Sequence, residues 1–339
     1  MAVYTQIDNP ELFFQCKIYT GTGSELAITL DGDENMQADL VWSKNRDQSE
    51  GHKIFDSVRG ATKFIMSNNT DAESTAAQTL KSFDSDGVTI GTDADMNTSS
   101  EKNVLWCWKE SATAGFDILT FTGNATSNQT ISHNLSAVPK CFHIKRLDQA
   151  SNWCSYHEGL GGANKNVFLN TTHASQTDTG IWNNTLPTSS VFSVGNNIDS
   201  NGNGASHVWY GWSEVQGFSK FGKYTGNGGS SVVSNADGTF DYTGFRPAWV
   251  MIKRTDTTNQ WGIGDTKRDV DNPVQHHLFS ESTQAEGGAS SYNNFDILSN
   301  GFKLRSGDLW TNASGGTYIY MAFAEAPFVN SNGVPCNAR

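Results

Sequence analysis

The sequence predicts an all-β protein made of three tandem antiparallel β-sandwich repeats, of jelly-roll or concanavalin-like type and about 100 residues each. Three observations lead there. An apolar run ending in glutamate occurs three times, as Val104-Leu105-Trp106-Cys107-Trp108-Lys109-Glu110, Val208-Trp209-Tyr210-Gly211-Trp212-Ser213-Glu214 and Ile319-Tyr320-Met321-Ala322-Phe323-Ala324-Glu325. Within each run the residues alternate in one phase, with Val104, Trp106 and Trp108 matching Val208, Tyr210 and Trp212, and Ile319, Met321 and Phe323. That is the period of a strand. Finally, Gly, Asn, Ser and Thr interrupt the chain roughly every eight to twelve residues, and no segment carries an apolar stripe at helical spacing over three turns.

A single strand pair cannot bury its own apolar face, so each copy of the run requires further strands with matching signals. Each repeat opens with an aromatic-Thr-Gly signature: Tyr19-Thr20-Gly21, Phe121-Thr122-Gly123 and Tyr224-Thr225-Gly226. A strand with a lysine near its end follows, Leu40 to Arg46 with Lys44, Cys141 to Arg146 with Lys145, and Trp249 to Arg254 with Lys253. A third strand lies in Ser82 to Gly91, Ser190 to Gly195 and Asp296 to Leu304. An asparagine thirteen positions before each glutamate (Asn97, Asn201, Asn312) stands in a polar run that reads as a hairpin loop before the apolar strand. The expected division is an N-terminal docking arm at 1–17, repeats at 18–117, 118–219 and 220–326, and an extended tail at 327–339. The repeats are expected to stand in a slender row.

Composition narrows the function. Lys and Arg number 23 against 35 Asp and Glu, a net charge of −12, without a basic cluster to neutralise a row of phosphates. Nucleic-acid binding is not expected. The five cysteines fall at unmatched places in the repeats, which argues against a shared disulfide. The first eight residues have neither a basic region nor an apolar run, and no window approaches a membrane span, so neither a signal peptide nor a membrane segment is expected.

Sites of chemistry are sparse. Asp93, Asp95, Asn97, Ser99 and Glu101 alternate in a way that invites a calcium reading, but the sharp-turn glycine and the terminal bidentate glutamate of a calcium loop are missing, and a solvated turn is preferred. No cofactor is expected. The adjacent His276 and His277 would point to opposite faces of a strand and cannot share a metal. No nucleophile elbow, phosphate loop or paired carboxylates on one strand face occur, and the expectation is a protein that is not an enzyme. Trp182 and Trp310 are flanked by turn residues, and are the candidate exposed aromatics on which a glycan or receptor could stack. Phe13 and Phe14, adjacent in the arm, are the candidates for docking to a partner. With the tail from Pro327 to Arg339 they are the stretches expected to cross between chains of a homo-oligomer.

Several of these stretches resemble the repeated domains of tail-fibre and other virion structural proteins of marine bacteriophages, cyanophages in particular. They are the aromatic-Thr-Gly openings, Leu40 to Arg46, Phe55-Asp56-Ser57-Val58-Arg59-Gly60-Ala61-Thr62, Ser82 to Gly87, Val104 to Lys109 and the ending Phe323 to Val329. The Asp-Ser-Val-Arg-Gly-like segment is lost in the second repeat. The resemblance implies a virion protein with lectin-like sandwich domains, made in the host cytoplasm and carried on the phage tail or capsid exterior. Its implied partners are other virion proteins, further copies of itself with a trimer favoured, and bacterial surface glycans. The function expected is host-surface attachment by a tail-fibre-like protein; the alternatives are a capsid-decorating or tail-assembly protein without receptor binding, and a carbohydrate-binding module.

Overall fold

The strand period seen in the three apolar runs becomes three large antiparallel sheets in the computed structural model, which describes residues 5–228, 238–287 and 294–337. Residues 1–4 of the expected arm and 338–339 of the expected tail lie outside the described residues. The first part of the chain supplies β1 (Phe14–Thr20), β2 (Leu26–Ile28), β3 (Leu40–Asn45), β4 (Lys53–Asp56), β5 (Lys63–Met66), β6 (Ser74–Thr75), β7 (Leu80–Asp84), β8 (Gly87–Ile90) and β9 (Lys102–Trp108). They form a six-stranded sheet in the order β1-β9-β3-β4-β5-β6 and a small sheet, β2-β8-β7. The second part supplies β10 (Phe116–Thr122), β11 (Gln129–Ser132), β12 (Cys141–Arg146), β13 (Cys154–His157), β14 (Lys165–Phe168), β15 (Gln176–Thr177), β16 (Val191–Val194) and β17 (Ser206–Trp212). Here the large sheet runs β10-β17-β12-β13-β14-β15, and β11 pairs with β16. The third supplies β18 (Ser219–Thr225), β19 (Phe240–Tyr242), β20 (Phe245–Arg254), β21 (Trp261–Asp265), β22 (Leu278–Phe279), β23 (Phe295–Leu298), β24 (Gly301–Leu304) and β25 (Thr317–Pro327), in sheets ordered β18-β25-β20-β21-β22 and β19-β24-β23.

The apolar runs are the inner strands β9, β17 and β25, buried on both faces. Trp108 pairs with Phe14 and Leu40, Trp212 with Phe116 and Cys141, and Phe323 with Ser219 and Trp249. On the first sheet, Leu105 and Cys107 face a local core with Val41, Phe55, Val88 and Ile90 under the small sheet. Val104, Trp106 and Trp108 point the other way, into a core shared with Tyr210 and Trp212 of the second sheet and Trp249 and Phe323 of the third. The ring of Trp108 lies 5.6 Å from those of Trp249 and Phe323 and 6.3 Å from that of Trp212.

The sheets close on one another instead of standing in a row. Tyr210 of the second donates to Asp56 of the first at 2.6 Å, and Trp106 of the first donates to Asp265 of the third at 3.0 Å. His157 of the second meets the Tyr320 carbonyl of the third at 3.0 Å. A linear arrangement would keep the first and third sheets apart; burying the second face of each large sheet requires all three to meet.

The polar landmarks of the sequence are braces of this architecture. Asn97, Asn201 and Asn312 are fully buried. Their amide oxygens accept the backbone N–H of Thr22 (2.8 Å), Asn124 (2.8 Å) and Asn227 (3.0 Å), and their amide nitrogens donate to the carbonyls of Gly91 (2.7 Å), Gly195 (2.6 Å) and Ser306 (2.9 Å). The signature glycine is needed for this close approach: a Cβ on Gly21 would collide with the Thr98 carbonyl, and the matching glycines lie equally close to Gly202 and Ala313. The segments read as hairpin loops are connections between sheets, since β8 pairs with β2 and β7 whereas β9 pairs with β1 and β3. Lys44, Lys145 and Lys253 are buried too, each ammonium donating to backbone carbonyls. Burial lowers all three to about 8.

The first and last described segments of the chain both pack on this framework. The first strand begins at Phe14, inside the stretch read as an arm, so the aromatic-Thr-Gly signature closes that strand instead of opening a repeat. Phe14 is buried against Trp108 and Phe323, with ring centroids at 4.9 and 5.1 Å, and Phe13 packs on Phe218 at 6.1 Å. The tail turns back on itself through a bridge between Val329 and Pro335, and Ser331 N–H donates to Asp8 at 2.7 Å. Within the described residues, these ends therefore bind their own chain.

Candidate functional site

Adjacent sheets are joined by one recurring backbone bond. Glu73 N–H donates to the Leu147 carbonyl (2.9 Å), Ser175 N–H to Thr255 (2.9 Å) and Glu286 N–H to Arg46 (2.8 Å). Glu73, Ser175 and Glu286 thus hold matching places at the three boundaries.

Two boundaries are filled by a buried ion-pair network. After β4, Asp56 accepts the backbone N–H of Arg59 at 2.7 Å, a tight turn that brings the guanidinium back onto the same carboxylate. Arg59 continues to Glu73 at 3.1 Å and to the Ile54 carbonyl at 3.1 Å. After β21, Arg268 repeats the pattern with Asp265 at 2.5 Å, Glu286 at 3.0 Å and the Ile263 carbonyl at 3.0 Å. Burial works to raise the Asp265 carboxyl, but the Arg268 charge and the hydrogen bonds from Arg268 and Trp106 hold it below its ordinary value.

At the boundary between the second and third sheets the network is replaced. His157 stands where Asp56 and Asp265 stand, Leu160 replaces the arginine and Ser175 the glutamate. His157 is buried, its Nδ1 accepting Gly159 N–H at 3.0 Å while Nε2 faces the Tyr320 carbonyl at 3.0 Å. A neutral ring protonated at Nε2 satisfies both partners, and burial lowers its pKa to about 4.

An open groove of about 670 Å³ results, within the size range of small-molecule sites. Lys165 at the start of β14 and Lys223 on β18 line it with the hydroxyls of Ser175, Thr225, Thr255 and Thr317. Beneath them Tyr224 and Tyr318 are stacked at 4.9 Å, and Tyr224 donates to the Thr311 carbonyl at 2.6 Å. Among the described residues neither Lys165 nor Lys223 has a carboxylate in ion-pair range; Lys165 instead donates to the Thr177 hydroxyl at 2.6 Å. The corresponding cavity between the first and second sheets is smaller, about 400 Å³, and there Glu73 neutralises Arg59 and Lys63 at 3.1 and 3.6 Å. At the remaining boundary Glu286 is clamped by Arg46 and Arg268.

The aromatic candidates are elsewhere and inward. Trp182 is 1% exposed, packed on Phe142 at 4.9 Å with its indole N–H donating to the Lys165 carbonyl at 3.0 Å. Trp310 is 4% exposed, against Phe279 and His277 at 5.7 and 5.6 Å, and lies over Gly262, where any Cβ would strike its ring. The expectation that these tryptophans are exposed platforms is corrected: Trp182 is buried in the local core of the second part, and Trp310 in the core shared by the sheets. Of the docking candidates, Phe14 is buried in the shared core and Phe13 is partly buried against it, about 5 and 6 Å from aromatic partners of their own chain.

The acidic run at 93–101 does not remain an alternating loop. Ala94–Asn97 form one helical turn, Asp93 and Asp95 both bind the Lys53 ammonium (2.5 and 2.9 Å), and Asn97 turns into the core. Among the described residues no three His, Cys, Asp or Glu side chains converge to hold a metal, and no helix is long and apolar enough to cross a membrane. The repeated glutamates diverge in their surroundings: Glu110 is pushed up to about 7 by burial and by Asp117 beside it, Glu214 pairs with Lys220 at 2.8 Å and Glu325 with Arg246 at 3.4 Å.

Fold and groove define an all-β protein whose antiparallel sheets share one core and carry a polar groove at the boundary between the second and third sheets. The chain belongs to a family described as a domain of unknown function (DUF7483), whose model matches residues 9–327 and therefore takes in all three large sheets. No curated protein matches the chain. Lys165, Ser175 and Lys223 were not singled out from sequence, although the loss of the Asp-Ser-Val-Arg-Gly-like segment in the second part marked the place where the boundary changes.

Proposed function

We propose that this chain is a phage virion structural protein, tail-fibre-like, that meets the bacterial surface. The observation that carries this reading is the open groove between the second and third sheets, with two lysines that have no carboxylate partner among the described residues, in a chain of net charge −12. Surplus positive charge at one concave place on an acidic surface is the kind of feature a binding site has and a purely scaffolding surface lacks. The sequence resemblance to marine phage fibres supplies the setting. In this reading the three large sheets are three copies of one jelly-roll-like sandwich, supported by the shared strand pairings and the three asparagine braces.

The test is twofold. Gold-labelled antibody against the chain is expected to decorate intact particles, and the fluorescently labelled protein is expected to stain host cells. Decoration without staining leaves the capsid-decorating or tail-assembly role, and absence of both refutes a virion role.

One observation favours that second role. Phe240 and Tyr242 are 43% and 56% exposed on β19, which is an edge strand of its sheet among the described residues, and such an edge suits docking to another virion protein or a further copy of this chain. Light scattering checks self-association, with a trimer expected and loss of association on Tyr242→Lys.

A further inference from the structure

We propose that the groove between the second and third sheets holds an acidic saccharide, its carboxylate or sulfate seated between Lys165 and Lys223. The inference deepens the attachment reading and rests on it for biological setting, but its chemistry stands on the comparison of the three boundaries. Every boundary places cationic side chains near the junction. Two of them supply their own anion, Glu73 against Arg59 and Lys63, and Glu286 against Arg46 and Arg268. At the third the glutamate is Ser175, and the lysines keep no internal carboxylate among the described residues. A bound anion would complete there what the glutamates complete elsewhere.

The remaining lining selects among anions. Ser175, Thr225, Thr255 and Thr317 present hydroxyls that donate and accept, which suits a ring bearing several hydroxyl groups. The Thr255 and Thr317 hydroxyls are hydrogen-bonded to each other at 2.9 Å, which fixes them side by side at the groove with lone pairs left to accept from such a ligand. Both tyrosines beneath are buried, at 8% and 1% exposure, so no open aromatic face is offered for a nucleobase to stack on. A monoanionic or dianionic sugar matches two lysines and four hydroxyls better than a nucleotide or an acidic peptide does.

Isothermal titration of the full chain at low ionic strength tests this with an oligogalacturonate, a heparin-derived tetrasaccharide, neutral maltotetraose and an oligoglutamate peptide. Binding of at least one acidic sugar is expected, weakening as salt is added, with no binding of maltotetraose. Lys165→Ala with Lys223→Ala should weaken it roughly tenfold or more. The sharper variant is Ser175→Glu, which installs the residue that both other boundaries already carry and should fold; it is expected to abolish binding by giving the lysines an internal partner. A thermal melt confirms that each variant is folded. Equal binding of maltotetraose, preference for the peptide, failure of both acidic sugars, or acidic-sugar binding indifferent to Ser175→Glu would each overturn the proposal. Cell staining that survives Ser175→Glu would sink this site while leaving attachment intact, and acidic-sugar binding without staining or decoration would do the reverse.

Discussion

Arg46 of the first sheet grips Glu286 of the third through two parallel hydrogen bonds, Nε to Oε1 at 2.9 Å and Nη2 to Oε2 at 2.7 Å. The same carboxylate accepts from Arg268 at 3.0 Å, so one glutamate compensates two guanidinium groups where the last sheet meets the first. Burial alone would raise the Glu286 carboxyl, but the hydrogen bond from Arg46 and the charges of both arginines hold it below its ordinary value.

Glu286→Ala should therefore be among the more damaging single changes. It leaves Arg268 buried with only Asp265 for charge compensation, and breaking such a buried pair costs about 3–5 kcal/mol. Urea denaturation measures the loss, and Glu286→Gln, which keeps one acceptor, should fall between the two. A loss below about 1 kcal/mol would mean that this closure is a surface contact of little weight.

The asparagine braces make a prediction in triplicate. Asn97→Ala removes the acceptor of Thr22 N–H and the donor to the Gly91 carbonyl; each buried group left unpaired costs about 1–3 kcal/mol. Asn201→Ala and Asn312→Ala should cost about as much, because each holds the same two bonds in its own part of the chain. Asp at any of the three keeps the acceptor but loses the donor and buries a charge, so it should be no better than Ala. A harmless substitution at one of them would break the equivalence.

At the centre of the shared core, Trp108→Ala should cost about 3–5 kcal/mol by opening a cavity among Phe14, Trp212, Trp249 and Phe323. Trp108→Phe should cost much less. The indole N–H of Trp108 has no hydrogen-bond partner among the described residues, so the smaller ring gives up volume but no polar contact. A denaturation midpoint for Trp108→Phe near that of Trp108→Ala would show that the nitrogen is bound after all.

What the sequence made legible was the local period. The phase of Val104, Trp106 and Trp108 against Leu105 and Cys107 was readable because alternation is a property of neighbouring residues, and the structure sends the two sets to different cores. What they pack against was not readable. Trp106 finds Asp265 and Tyr210 finds Asp56 through single contacts between distant parts of the chain, and no local pattern announces them. Trp182 and Trp310 misled for a related reason: turn residues on both sides describe the backbone around a side chain and say nothing of its direction. The asparagines and lysines looked like loop and strand-end residues, yet their burial follows from backbone groups that only the folded connections bring within reach. The groove was beyond sequence because Ser175 and Lys223 come from different parts of the chain, although the missing arginine at Leu160 was in plain view.

His157 gives the boundary between the second and third sheets a dependence on pH. Its ring is held neutral, with a pKa lowered to about 4 from an ordinary 6.5 because burial disfavours the charged form. Protonating Nδ1 would also set a donor against Gly159 N–H, which now donates to it at 3.0 Å. Between those two values the unfolded chain binds more protons than the folded one, so stability rises with pH across this window and is lost as pH falls from 6.5 through 4. The shift corresponds to roughly 3 kcal/mol at 1.36 kcal/mol per pKa unit. Glu281 acts in the opposite sense over part of the same range, since burial raises its carboxyl to about 7 and the folded state then holds the extra proton. Comparing melting temperatures of the native chain and His157→Gln from pH 7 down to pH 4 separates the two, because the glutamine can keep both hydrogen bonds and cannot take up a proton. The native chain should lose stability more steeply than the variant as the solution is acidified, and parallel curves would mean that His157 is not held neutral at this boundary.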